Sequence, residues 1–205
     1  QINLYEFKGD KYLDRLDIGR VYHSPVKEIS GIGIERYFTS ELNGTEQIID
    51  SAGPYEAKHL EIKDKDGIKT IFEMNAIFPE SWDETAATMI AQKYFFKPNK
   101  PEWREKLRNK IGSESENSLH QLSLRVSNFF ADKGESLGYF STPEDKQNFR
   151  DELLWLQLNK KGAFNSPVQF NAGIYNEYGV EGTKGLNYIT DRNTGEVKKF
   201  DGGEY

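Results

Sequence analysis

The residues best placed to do chemistry are the polar ones in the stretch Gly162 to Ile174, which reads G-A-F-N-S-P-V-Q-F-N-A-G-I. Asn165, Ser166 and Asn171 stand there among Phe164, Val168, Phe170 and Ile174. Pro167 lacks a backbone donor, fixes its own φ and pushes Ser166 towards an extended conformation. No helix is expected to run through it, so the stretch reads as a strand. Buried polar groups need partners. The segment is therefore either a structural strand with satisfied Asn and Ser, the commoner use of such residues, or a wall of a site whose polar groups face a ligand.

Little else in the chain has the spacing of a reactive centre. There is no cysteine, which removes disulfides, thiolate metal sites and thiol chemistry from these residues. His23, His59 and His120 lie far apart and show no metal-type spacing. His120 sits beside an apolar helical face and reads as a surface or partly buried histidine. Glu35-Arg36 and Lys58-His59 read more simply as solvated strand edges, where charge suppresses unwanted pairing. A formal net charge of −6 without a long basic run disfavours nucleic acid and anionic membrane, although a local basic patch could still hold phosphate. No apolar run approaches the ~18 residues of a membrane span. No charged head followed by an apolar core opens the chain, so a cytoplasmic protein is the default expectation.

The elements that must position these residues are legible in part. Residues 1–31 hold scattered aromatics among charges, broken at Ser24-Pro25, and read as an irregular arm. Ile32 to Thr39 alternates as a strand would. Leu60 to Ile62, the turn Asp64-Lys65-Asp66-Gly67 and Ile68 to Ala76 read as a hairpin. From Pro79 the period becomes helical. Ser81 and Glu84 have capping-box spacing, and Trp82, Ala86, Met89, Ile90 and Tyr94 trace one face. Glu102 to Lys110 is a short helix with Gly112 as its cap. Ser113 to Glu116 reads as a flexible acidic linker. Leu119 to Lys133 is a strong helix stopped by Gly134. A last helix starts at the Thr142 cap with Pro143 first, and its apolar end reads as buried between layers. Beyond Ile174, Leu186 to Thr190 and Glu196 to Phe200 read as short extended pieces around an Asp191-to-Gly195 turn. An exposed hairpin and an ending at Gly-Gly-Glu-Tyr suggest an incomplete domain.

Several blocks carry a family resemblance. Ala163 to Ile174, followed by Y-N-E-Y-G-V-E-G (Tyr175 to Gly182), closely resembles the N-terminal third of the ribonucleotide reductase large subunit. The likeness is best to the adenosylcobalamin-dependent class II enzymes. I-E-R-Y-F-T (Ile34 to Thr39) looks like that family's early strand, and Pro79 to Phe95 like its Pro/Trp-led helix ending in K-Y-F. Gly138 to Leu153 resembles the helix that precedes a characteristic strand of that family. Any one block is weak, but four in order over residues 32–205 are specific.

The resemblance implies an α/β fold: an α-rich N-terminal region with a small β-hairpin, leading into the first strand of a ten-stranded α/β barrel. It divides the chain into the arm 1–31, a small β-rich segment 32–78, a helical domain 79–161 and an incomplete first part of the barrel at 162–205. It gives Ser166 a contact with the substrate's phosphates, which its hydroxyl and nearby amides suit, and Asn165 a lesser one. Phe164, Val168 and Phe170 become barrel core. The complete enzyme reduces ribonucleotides by thiyl-radical chemistry with adenosylcobalamin as cofactor, using a radical cysteine, a redox cysteine pair, and Asn and Glu for proton transfer. A chain without cysteine is expected to be inactive alone and to need the C-terminal remainder as partner, with a ribonucleotide di- or triphosphate as substrate and a possible dimer formed through that remainder. Two other readings stay open: part of a class I large subunit served by a separate radical-generating subunit, and a non-catalytic nucleotide- or partner-binding module.

Overall fold

The computed structural model describes residues 31–181, 187–190 and 194–200. Residues 31–181 form one packed body. In chain order it holds α1 (Gly44–Asp50), β1 (Tyr55–Lys63), β2 (Thr70–Pro79), α2 (Glu84–Lys93), α3 (Pro101–Ile111), α4 (Leu119–Ser136), α5 (Pro143–Leu158), α6 (Ser166–Asn171) and α7 (Ile174–Tyr178). β3 (Asn187–Thr190) and β4 (Val197–Phe200) pair antiparallel in a separate unit, at the two extended pieces the sequence indicates. The irregular arm, His23, residues 191–193 of the expected turn and residues 201–205 fall outside the described residues.

Helices joined to small antiparallel sheets agree with the α/β expectation. β1 and β2 pair from Tyr55 opposite Pro79 to Ile62 opposite Phe72. Their turn is closed by the Asp64 carboxylate, which accepts from the Ile68 amide at 2.9 Å, while Gly67 takes φ +70°. The Asp-Gly signal was thus a hairpin, longer on both sides than its apolar core suggests. Leu60, Ala76 and Phe78 are buried. His59 faces Asn75 across the ladder at 3.0 Å and is exposed, as a strand-edge residue should be. The Ile77 amide donates to the Asn117 carbonyl at 2.8 Å, which ties the sheet to the start of α4.

The helices follow their capping chemistry. Asp83, rather than Ser81, caps α2 and accepts from the Ala86 amide at 2.8 Å. Trp82 is buried beneath that turn and donates to the Leu158 carbonyl at 3.0 Å. The small residues Ala87, Thr88 and Ala91 face inward and Met89 is exposed. Gly112 caps α3 in the left-handed region, and Thr142 and Pro143 open α5, all as expected. Gly134 does not stop α4. It is buried inside the helix, where a Cβ would meet the Phe140 ring at 2.6 Å, and the turn falls later at Gly138. Leu119, Leu122 and Val126 of α4 join Leu154 and Leu158 of α5, Leu60 and Phe78 in the main core.

Two strand expectations are corrected. Ile32 to Thr39 makes one isolated bridge, Ile32 with Phe140, and otherwise runs along α5. Apart from the Ile32 amide, which donates to the Tyr139 carbonyl at 2.8 Å, its bonded backbone donors go to carboxylates rather than to a neighbouring strand. Ile34 donates to Asp145 at 2.6 Å, and Tyr37 and Thr39 donate to Glu152 at 3.0 and 2.8 Å. Burial opposes ionisation of Glu152, but these bonds outweigh it and hold its carboxyl below the usual range. Arg36 pairs with the buried Asp151 at 2.6 Å, so it anchors the segment instead of fringing a sheet. The second correction is Gly162 to Ile174, which contains the short helix α6 and the first residue of α7 and no strand. Pro167 sits in the first turn of α6, where a missing donor costs nothing.

Candidate functional site

The site is built around the start of α6. Asn165 caps the helix with extended dihedrals (φ −63°, ψ 158°), and its side-chain oxygen accepts from the Val168 amide at 3.3 Å. The amide end of that side chain remains free for solvent or an anion. Ser166 follows, exposed, with its hydroxyl 3.0 Å from the phenol of Tyr94. Phe164 stacks on Phe130 with centroids 4.8 Å apart, and Phe164 and Val168 pack on the main core. Phe170 is 40% exposed.

A buried ionic network holds the site in place. Glu116 and Arg125 are both fully buried, and Arg125 Nε donates to Glu116 Oε1 at 2.7 Å. The Glu116 carboxylate also accepts from the Tyr178 hydroxyl and the Phe96 amide, each at 2.7 Å. Burial, with Glu116 next to it, pushes the Tyr178 phenol well above its ordinary range and keeps it protonated as a donor. The rest of the guanidinium reaches carbonyls: Ala172 at 2.5 Å, Gln169 at 3.2 Å and Tyr94 at 3.4 Å. Arg125 thus holds the last turn of α6 and the residue that touches Ser166. Gly173 links α6 to α7 at φ +80°, against the Arg125 backbone.

This network overturns the reading of Ser113 to Glu116 as a flexible acidic linker, because Glu116 is its buried anion. Arg125 did leave a sequence signal. It stands three residues after Leu122 and four before Phe129, on the apolar stripe of α4, where a lone cation needs a buried partner. Nothing near Glu116 in the sequence marks it as that partner.

Beside the site lies a pocket of about 470 Å³ with apolar walls from Trp82, Ile90, Leu119 and Leu122. Gln157 and Gln169 line it as well, and each has a buried side-chain oxygen without a hydrogen-bond partner. His120 is elsewhere, edge-on to Tyr55 with centroids 6.0 Å apart, and burial holds its pKa below the usual value. Among the described residues, no three His, Asp or Glu side chains converge as a metal site, and no helix is long and apolar enough to cross a membrane.

Residues 56–160 match the family model described as class II vitamin B12-dependent ribonucleotide reductase. The chain belongs to this family. Among curated relatives, the vitamin B12-dependent ribonucleotide reductase of Rhodopirellula baltica is 37% identical over 128 residues, covering 62% of this chain and 11% of the relative. That of Agrobacterium fabrum is 31% identical over 189 residues, covering 81% of this chain and 14% of the relative. That of Bradyrhizobium diazoefficiens is 32% identical over 162 residues, covering 68% and 13%. The chain therefore spans a small part of the length of these reductases. The family match runs from β1 to the end of α5, so Tyr94, Glu116 and Arg125 lie within the matched residues and Ser166 lies beyond them.

Proposed function

We propose that this chain forms the N-terminal part of an adenosylcobalamin-dependent ribonucleotide reductase and acts only together with the C-terminal remainder of the enzyme. In this reading, 32–78 and 79–161 are the outer β-rich and helical parts, and 162–205 leads into the ten-stranded barrel. The remainder carries the cysteines of thiyl-radical chemistry and any dimer contact. The chain's own contribution is scaffold and contacts to the phosphates of a ribonucleotide di- or triphosphate. Adenosylcobalamin supplies the radical when bound to the complete enzyme. Among the described residues, neither His59 on the hairpin nor His120 against Tyr55 joins a ligand cluster that could hold a metal ion.

The observation that carries the substrate contact is the exposed Ser166 hydroxyl, set on a helix start whose far end is clamped by Arg125. A serine hydroxyl can donate to a phosphate oxygen, and the free amide end of Asn165 is a second donor beside it. Net charge does not draw anions to this chain, so such local donors must do the recognition. A hydrogen bond to a charged group contributes about 1.5–3 kcal/mol. Ser166→Ala in the assembled enzyme is therefore expected to raise the KM for ribonucleotide roughly 10- to 100-fold. An unchanged KM would remove Ser166 from the substrate site.

A further inference from the structure

The contact between Tyr94 and Ser166 joins residues 72 apart in the chain, so it is a product of the tertiary fold. Tyr94 ends α2, where its amide donates to the Ile90 carbonyl at 2.9 Å and its own carbonyl accepts from Arg125 at 3.4 Å. Its ring packs on the main core, leaving the phenolic oxygen at the rim. Ser166 begins α6, whose Gln169 carbonyl is held by the same Arg125 at 3.2 Å. One buried guanidinium therefore fixes the backbone on both sides of the hydroxyl pair.

The two oxygens are 3.0 Å apart and either can donate to the other. A phosphate oxygen only accepts, so it breaks this symmetry. Serine carries a single proton. If that proton goes to a phosphate, the lone pairs of Ser166 are left to accept from Tyr94, and the two bonds polarise one another in series. We propose that Tyr94 is a positioning residue for substrate phosphate, donating to Ser166 Oγ and so aiming the Ser166 proton at the ligand. This rests on Ser166 being the phosphate contact.

The test is a double-mutant cycle in the complete reductase containing this chain. Tyr94→Phe removes the phenolic oxygen and keeps the ring. It is expected to raise the ribonucleotide KM roughly 3- to 10-fold, with the change carried by KM rather than kcat. Added to Ser166→Ala it should have no further effect, because the proton it directs is already gone. The inhibition constant of the unphosphorylated ribonucleoside should stay where it is, whereas a general distortion of the site would weaken nucleoside and nucleotide alike. If Ser166→Ala raises KM but Tyr94→Phe does not, or if the two effects multiply, or if nucleoside inhibition weakens equally, the positioning role is overturned. If Ser166→Ala itself leaves KM unchanged, the phosphate reading of Ser166 falls instead.

Discussion

Arg125→Ala lowers the stability of the chain by about 3–5 kcal/mol, the cost of leaving a buried carboxylate without its partner. Glu116 keeps its bonds from Tyr178 and the Phe96 amide, but these are dipoles, and the carboxylate has no access to water. The carbonyls of Gln169 and Ala172 lose their donor at the same time. Glu116→Gln leaves the converse problem, a buried cation. Replacing both residues, as in Glu116→Gln with Arg125→Met, should recover part of the loss. It will not recover all of it, because the α6 carbonyls stay unsatisfied. Urea unfolding at neutral pH measures all three variants. Equal stability of Arg125→Ala and the parent chain would mean that the network is not closed as described.

Gly173→Ala destabilises by about 2–4 kcal/mol through two independent terms. Its φ of +80° is a conformation that an L side chain adopts at a cost. The new Cβ would also lie 2.5 Å from the Arg125 carbonyl oxygen and 2.9 Å from Arg125 Cγ, so backbone must move. The same change at Gly195, whose φ is +73° with nothing within 4 Å of a Cβ, brings only the dihedral term and should cost less. Denaturation midpoints of the two variants separate strain from collision. Equal losses at both positions would show that the Arg125 backbone yields freely.

Much of the frame was readable from local chemistry. The Asp64-to-Gly67 turn, the Gly112 cap and the Thr142-Pro143 helix start are each set by one or two residues acting on their own backbone, and each was found where the sequence put it. The failures lie where tertiary partners decide. Ile32 to Thr39 alternates like a strand, but the side chains of Asp145 and Glu152, more than a hundred residues away, take its donors. Pro167 reads as a barrier to helix, yet it sits in the first turn of α6, where it is well tolerated. Gly134 looked like a stop, yet it is where α4 makes room for the Phe140 ring. At the candidate site, Ser166 and Asn165 were legible as polar residues in an apolar stretch. Tyr94 was read only as part of an apolar face, and its hydroxyl meets Ser166 only once the chain has folded. Glu116 gave no signal at all, because its neighbours are those of a solvated loop.

We propose that this chain serves a cobalamin-dependent reductase as one part of a longer whole. The direct measurement is deoxynucleotide formation by the chain combined with the rest of the reductase, adenosylcobalamin, ribonucleotide and a thiol reductant. Turnover is expected only when both parts and the cobalamin are present. No turnover with a folded, complete remainder would contradict the account, and so would turnover that needs a separate metal-containing subunit and ignores cobalamin.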